Sequence, residues 1–275
     1  MIFRVRTALF YIFLVFWSLP VSAGIIQYIM HCELPTMGKT IYMFGETHTD
    51  PFDAGAVAQR QELELAMDTI MDQYHGPMSL YLECNNNLQE WVRELSWLET
   101  WDLCRRGSFF EQWYIPLGYA DGMEVQYGQL LLSNFDIRDD QYTQFKYAFI
   151  ELAEDVITSE AIDFEALHHW ADMVVEPTIK TLLGNIKKVY PKKLASYVSR
   201  DIGRKKSRFY TMLNAYRQEK TAYCGTCALN DFYDFTDLLP ELTILNKVAS
   251  DPCEAIVVNA GAAHTQNLSR YFRQL

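Results

Sequence analysis

The chain has 275 residues, 49% of them hydrophobic and 14% aromatic, which is enough to bury a large core and excludes a disordered polypeptide. Its formal net charge of −11 argues against a nucleic-acid partner, because an acidic chain repels phosphate unless it carries a local basic face. The densest basic stretch, Lys187 to Arg208, reads as a solvated helix face.

Taken in order, the N-terminus comes first. Arg4 and Arg6 precede an apolar run over 8–17 that is too short to span a bilayer comfortably. Val21-Ser22-Ala23 then matches the small-residue pattern of a signal-peptidase site. The expectation is a segment 1–23 that is cleaved after Ala23 or kept as a membrane anchor. The remainder, 24–275, is expected to be a single domain, secreted or held at a membrane through its N-terminus.

"IIQYIM" (25–30) and "TIYMF" (40–44) are short β-rich runs separated by a turn with Pro35 and Gly38. Residues 54–75 show helical spacing and stop at Gly76-Pro77. "MSLYLE" (78–83) reads as a buried strand, 88–103 as an amphipathic helix and "GQLLLSNFDIR" (128–138) as a third core strand. A helical insertion is expected over about 140–220, punctuated by Pro177 and Pro191, and a short helix over 230–242. "EAIVVNAGAAH" (254–264) is the last core strand and 265–275 a terminal helix. Apolar strands alternating with helices predict an α/β fold with a mainly parallel central sheet and helices on both faces.

In such a sheet, ligands bind beyond the carboxyl ends of the strands. Just past those ends stand Glu46 and His48, then Glu83, then Asp136 and Arg138, then His264. Ionisable residues at four strand ends are expected to converge on one sheet edge and form a catalytic site. Glu46, His48, Glu83 and His264 could hold one divalent cation and acidify a bound water. Arg138 could then stabilise an oxyanion, and Asp136 could orient a histidine. A metal-free scheme uses the same residues: His48 as general base on water, a carboxylate fixing its tautomer, and His264 polarising the substrate carbonyl. The peptidase helix motif, the serine nucleophile elbow and the P-loop are all absent. Gly45 and Gly261 are expected to allow sharp turns before the functional residues.

The motifs "FGETH" (44–48), "YLE" (81–83) and "VVNAGAAH" (257–264) resemble those of the EreA/ChaN-like superfamily, which takes in erythromycin esterases, haem-binding ChaN lipoproteins and TIKI/TraB proteins. "NFDIR" (134–138) and "NDFYDF" (230–235) are similar to recurring elements of some members. The resemblance covers roughly 25–275, apart from the helical region. It implies a mainly parallel α/β fold with a cleft at the strand ends, hydrolysing a small-molecule or peptide substrate at an ester or amide bond. In TIKI-type members the implied cofactor is a divalent metal, in the esterases a histidine assists water, and in ChaN-like members the implied role is haem binding without turnover. The loop after His48 carries no second histidine of the ChaN kind, which favours hydrolysis over haem.

Six cysteines suit an exported chain with disulfides. "CGTC" (224–227) reads as a local disulfide or two plain thiols ahead of a zinc or redox role. His168 and His169 read as a surface pair and His31 as a residue that could reach the cleft edge. Asp231 reads as a carboxylate behind the site or an ordinary helix N-terminal acid.

Overall fold

Strand pairing organises the molecule. The computed structural model describes residues 26–46, 76–82, 126–127, 130–218 and 224–275, with 66, 69, 70, 73 and 74. The expected segment 1–23, the helix over 88–103 and most of the helix over 54–75 lie outside the described residues.

Among the described residues six strands form one sheet: β1 (Ile26–Leu34), β2 (Lys39–Glu46), β3 (Met78–Leu82), β4 (Gln126–Tyr127), β5 (Leu130–Asn134) and β6 (Ala255–Gly261), in the order β1-β2-β6-β3-β5-β4. The inner four, β2, β6, β3 and β5, are mutually parallel. The flanking pairs, β1 with β2 and β4 with β5, are antiparallel. The first two strands form a hairpin through a 3₁₀ turn at Pro35–Met37, closed by Gly38 at φ 63°. There glycine is needed, since the left-handed region penalises a Cβ. Every residue from Ala255 to Ala260 is buried, as expected of a strand at the centre of a parallel sheet.

Among the described residues between β5 and β6 stand six α-helices: α1 (Asp140–Ala153), α2 (Phe164–Trp170), α3 (Glu176–Val189), α4 (Lys192–Arg217), α5 (Gly225–Thr236) and α6 (Leu238–Ser250). The helical segment therefore runs to Ser250, beyond the expected limit near 220. Pro177 does not end a helix. It sits in the first turn of α3, just after a five-residue π turn (Ala171–Val175) that joins α2 to α3. A wide turn absorbs the hydrogen bond proline cannot make. Pro191 does separate α3 from α4.

Asp139 fixes the first helix. One carboxylate oxygen caps the Tyr142 N–H at 2.9 Å, and the other accepts from Trp170 Nε1 at 3.1 Å. Trp170, Tyr142 and Phe149 surround Phe232 of α5, with the Phe149 ring centroid 4.9 Å away. This aromatic layer clamps α5 to α1 and α2.

At the start of α5, a Cβ on Gly225 would lie 2.4 Å from the Leu152 carbonyl oxygen. Backbone cannot retreat as a flexible side chain can. Gly225→Ala is therefore expected to destabilise the chain by about 1–3 kcal/mol, read as a lower urea midpoint with unchanged slope. An unchanged midpoint would show that the α1–α5 contact is looser than drawn here.

The last strand stops at Gly261, three residues short of the expected 264. Helix α7 (Ala262–Phe272) begins at once, because Ala-Ala-His-Thr-Gln-Asn-Leu favours a helix over a strand. Gly261 has φ −52° and ψ 146°, open to any residue, so no sharp turn there requires glycine.

Candidate functional site

The parallel register brings the starts of the two G-x-x-H motifs, Gly45-Glu46 and Gly261, to the ends of adjacent strands. Gly45 pairs with Ala260 and Glu46 with Gly261 on adjacent strands. Leu82 pairs with Asn259 on one side and Asn134 on the other, so β3 and β5 end at the same level. Of the residues named from sequence, Glu46 is the last of β2, and its backbone alone is described. His48 and Glu83 lie outside the described residues. Asp136, Arg138 and His264 are described fully.

Asp136 and Arg138 belong to the loop after β5. The strand stops at Asn134, earlier than the expected 138, because Asp136 turns the chain by accepting the Arg138 N–H at 3.0 Å. The same carboxylate takes Arg138 Nε at 2.9 Å and Nη2 at 2.8 Å, a two-pronged fork. Arg138 Nη1 donates onward to the Tyr142 hydroxyl and to Asp237 Oδ1, each at 3.1 Å. Burial pushes the Tyr142 phenol upward and outweighs the lowering by Arg138, so it stays protonated.

His264 stands in the first turn of α7, with its side chain 6% exposed. Its two nitrogens face two carboxylates from the α5–α6 junction. Nε2 is 3.8 Å from Asp237 Oδ1, and Nδ1 is 3.5 Å from Glu241 Oε1. Asp136 thus bears on the histidine through Arg138 and Asp237.

Glu241 is fully buried and heavily coordinated. Asn267 Nδ2 donates to Oε1 at 2.7 Å, while Lys205 Nζ and the Tyr271 hydroxyl reach Oε2 at 3.2 Å. Burial alone would raise its pKa. The Lys205 charge and the His264 and Asn267 contacts outweigh that and hold the carboxyl below its ordinary value. Lys205, 2% exposed, behaves in mirror image: burial lowers its pKa, and Glu241, Asp201 and further acids raise it above the usual value. Both members stay charged. A carboxylate facing Nδ1 favours the tautomer with the proton there, which leaves Nε2 as the basic nitrogen.

Sequence reasoning missed Asp237, Glu241 and Lys205. A signal existed. Glu241 interrupts the apolar run "LLPELTIL" (238–245), and Lys205 falls on the α4 stripe Leu194, Val198, Ile202, Phe209, Met212. Charges of opposite sign inside two buried stripes point to a buried pair. The basic stretch 187–208 is accordingly not all solvated face. Asp231 is 2% exposed and ion-paired to Arg208 at 2.6 Å. His31 is exposed in the middle of the edge strand β1, stacked on Tyr42 at 4.9 Å, and so stands away from the strand-end edge. His168 lies 3.2 Å from Asp172 on the helix surface.

No family model, curated protein or solved structure matches the chain. The functional reading therefore stands on the residues themselves.

Among the described residues no group of three His, Cys, Asp or Glu is arranged to hold a metal. Of the four ligands expected from sequence, His48, Glu83 and the Glu46 side chain lie outside the described residues. Asp237 and Glu241 are already satisfied by Arg138 and by Lys205, Asn267 and Tyr271, which suits them to orient a histidine. Beside Asn267 and Tyr271 opens a cleft of about 310 Å³, rimmed by Arg200, Arg204 and Arg270. Among the described residues no helix is long and apolar enough to cross a membrane.

Proposed function

We propose that this chain is a hydrolase that cleaves an ester or amide bond of a small-molecule or peptide substrate with activated water. The observation that supports it best is the β2–β6 register, in which Glu46 is opposite Gly261. With that pairing, Glu46 of "GETH" and Gly261 of "GAAH" end neighbouring strands at one edge, where parallel sheets bind ligands. The reading extends to helices on both sheet faces, consistent with burial of all of Ala255–Ala260. It also extends to export or membrane anchoring through residues 1–23.

In this reading Glu241 keeps the proton on His264 Nδ1, and Nε2 is presented to the reacting groups. Arg138, held by Asp136 and Asp237, supplies a fixed positive charge near the strand ends. Held by Glu46, His48, Glu83 and His264, a divalent cation would supply a water that ionises near neutral pH. Without a cation, His48 would take the proton from water and His264 would polarise the carbonyl oxygen. The described contacts of His264 fit either role, since both need a ring whose tautomer is held by a carboxylate, here Glu241 3.5 Å from Nδ1.

The test is a panel of chromogenic esters and amides, assayed with and without a chelator, alongside metal content by mass spectrometry. The metal form predicts about one divalent ion per chain and turnover that the chelator removes. The proton-transfer form predicts turnover that survives it. A protein that takes up a divalent ion or haem through His264 yet turns over nothing in the panel overturns the hydrolase reading in favour of a binding protein.

A further inference from the structure

We propose that Cys224 and Cys227 form a redox-active pair that exchanges its disulfide with thiols of other molecules, a function separate from the site around His264. The two sulfurs are bonded to each other, and both residues are exposed. Cys224 caps α5: its Sγ accepts the Cys227 N–H at 3.2 Å. The first turn of α5 contains no acidic residue, so the positive end of the helix stabilises a thiolate at Cys224.

The position makes a poor staple and a good exchange site. A bridge between residues three apart closes a very small loop and removes little entropy from the unfolded chain. The turn is held by other means. Gly225 is pressed on Leu152 and Ala153 of α1, and Phe232 and Phe235 of α5 are fully buried. Opening the bridge therefore leaves the helix where it is, and dithiol and disulfide forms share one fold. The two free cysteines among the described residues contrast with this pair. Cys253 is buried and Cys32 half-buried, and burial pushes both thiols up, away from reactivity.

The chemistry is two successive exchanges. An incoming thiolate attacks Cys224 Sγ, the Cys224–Cys227 bond breaks, and Cys227 leaves as a thiolate that takes a proton from water. A second thiolate, from the same dithiol or another monothiol, attacks the outer sulfur of the mixed disulfide and releases Cys224. Two external thiols are oxidised to one disulfide while the protein disulfide is reduced to two thiols, a transfer of two electrons and two protons. The reverse sequence reduces an external disulfide.

The probe is glutathione. The oxidised full chain is equilibrated across reduced-to-oxidised glutathione ratios, quenched with acid, differentially alkylated and mapped by peptide mass spectrometry. The expected result is conversion of the 224–227 pair from disulfide to dithiol within that range. Cys227→Ser should trap glutathione on Cys224 at least about tenfold more than Cys224→Ser traps it on Cys227, reflecting the thiolate preference of the capping position. Two results overturn the proposal: a wild-type pair that stays oxidised at every glutathione ratio, or equal trapping in the two variants. Should either variant fail to fold by circular dichroism, the wild-type titration decides alone.

Discussion

Lys205→Met is expected to destabilise the folded chain by about 3–5 kcal/mol, the range for breaking a buried ion pair from one side. The Lys205 ammonium and the Glu241 carboxylate are 2% and 0% exposed and 3.2 Å apart. Removing the ammonium leaves the carboxylate among Asn267, Tyr271 and His264 without its lysine partner. Glu241→Gln should cost less than Lys205→Met, because the ammonium keeps Asp201, whose Oδ2 is 3.6 Å away. The double variant Lys205→Met/Glu241→Gln should lose less than the two singles together by about 1–3 kcal/mol. Urea denaturation of the four proteins checks this, and strictly additive losses would mean that the pair is not coupled. The pH dependence has a definite sign. Glu241 has its folded pKa depressed, so its contribution is complete above its unfolded value of about 4.3 and disappears as pH falls through the folded one. Lys205 has its folded pKa raised, so its contribution is complete below about 10.4 and disappears as pH rises through the folded one. The pair's contribution to wild-type stability should therefore be flat between those limits and lost outside them, as urea denaturation across pH would show.

His264→Ala should reduce hydrolysis by roughly 10²–10⁴-fold, the usual contribution of a positioned proton-transfer group. The variant also leaves Asp237 and Glu241 without the ring, so a stability loss of about 1–3 kcal/mol is expected alongside. Two measurements separate these effects. Added imidazole should restore part of the lost rate without raising the melting temperature, because it replaces a base or ligand and not a packing contact. Glu241→Gln, assayed where it remains folded, should move the pH–rate profile, since the amide no longer favours the proton on Nδ1. Full activity in His264→Ala would remove the histidine from the mechanism.

Much of the sheet was readable in the sequence. The apolar runs at 40–44, 78–82, 130–134 and 255–260 are strands because each is short, β-rich and bounded by turn residues. Their parallel pairing follows from the long connections between them, which a hairpin cannot make. The boundaries were less legible. The strand ending at Gly261 and the helix starting at Ala262 share an unbroken small-residue stretch, so periodicity alone carried the strand to His264. Likewise 230–242 read as one helix, whereas α5 ends and α6 begins at Asp237, with Pro240 in the first turn of the second helix as the only local mark of the break.

The same division holds for the candidate site. Local sequence determined what depends on neighbours along the chain: the Asp136–Arg138 fork, with one residue between; the Cys224–Cys227 bridge, three apart; and the strand-end placement of Glu46. Tertiary structure alone decided that Asp237 and Glu241 would meet His264, and that Lys205 would meet Glu241, because α4, the α5–α6 junction and α7 are separated by tens of residues. A charged side chain on a helix reads as solvent-facing until the packing of another helix supplies its opposite. Lys205 and Glu241 are buried only because α4 and α6 desolvate and neutralise each other's charge, an event that no single segment of the chain encodes.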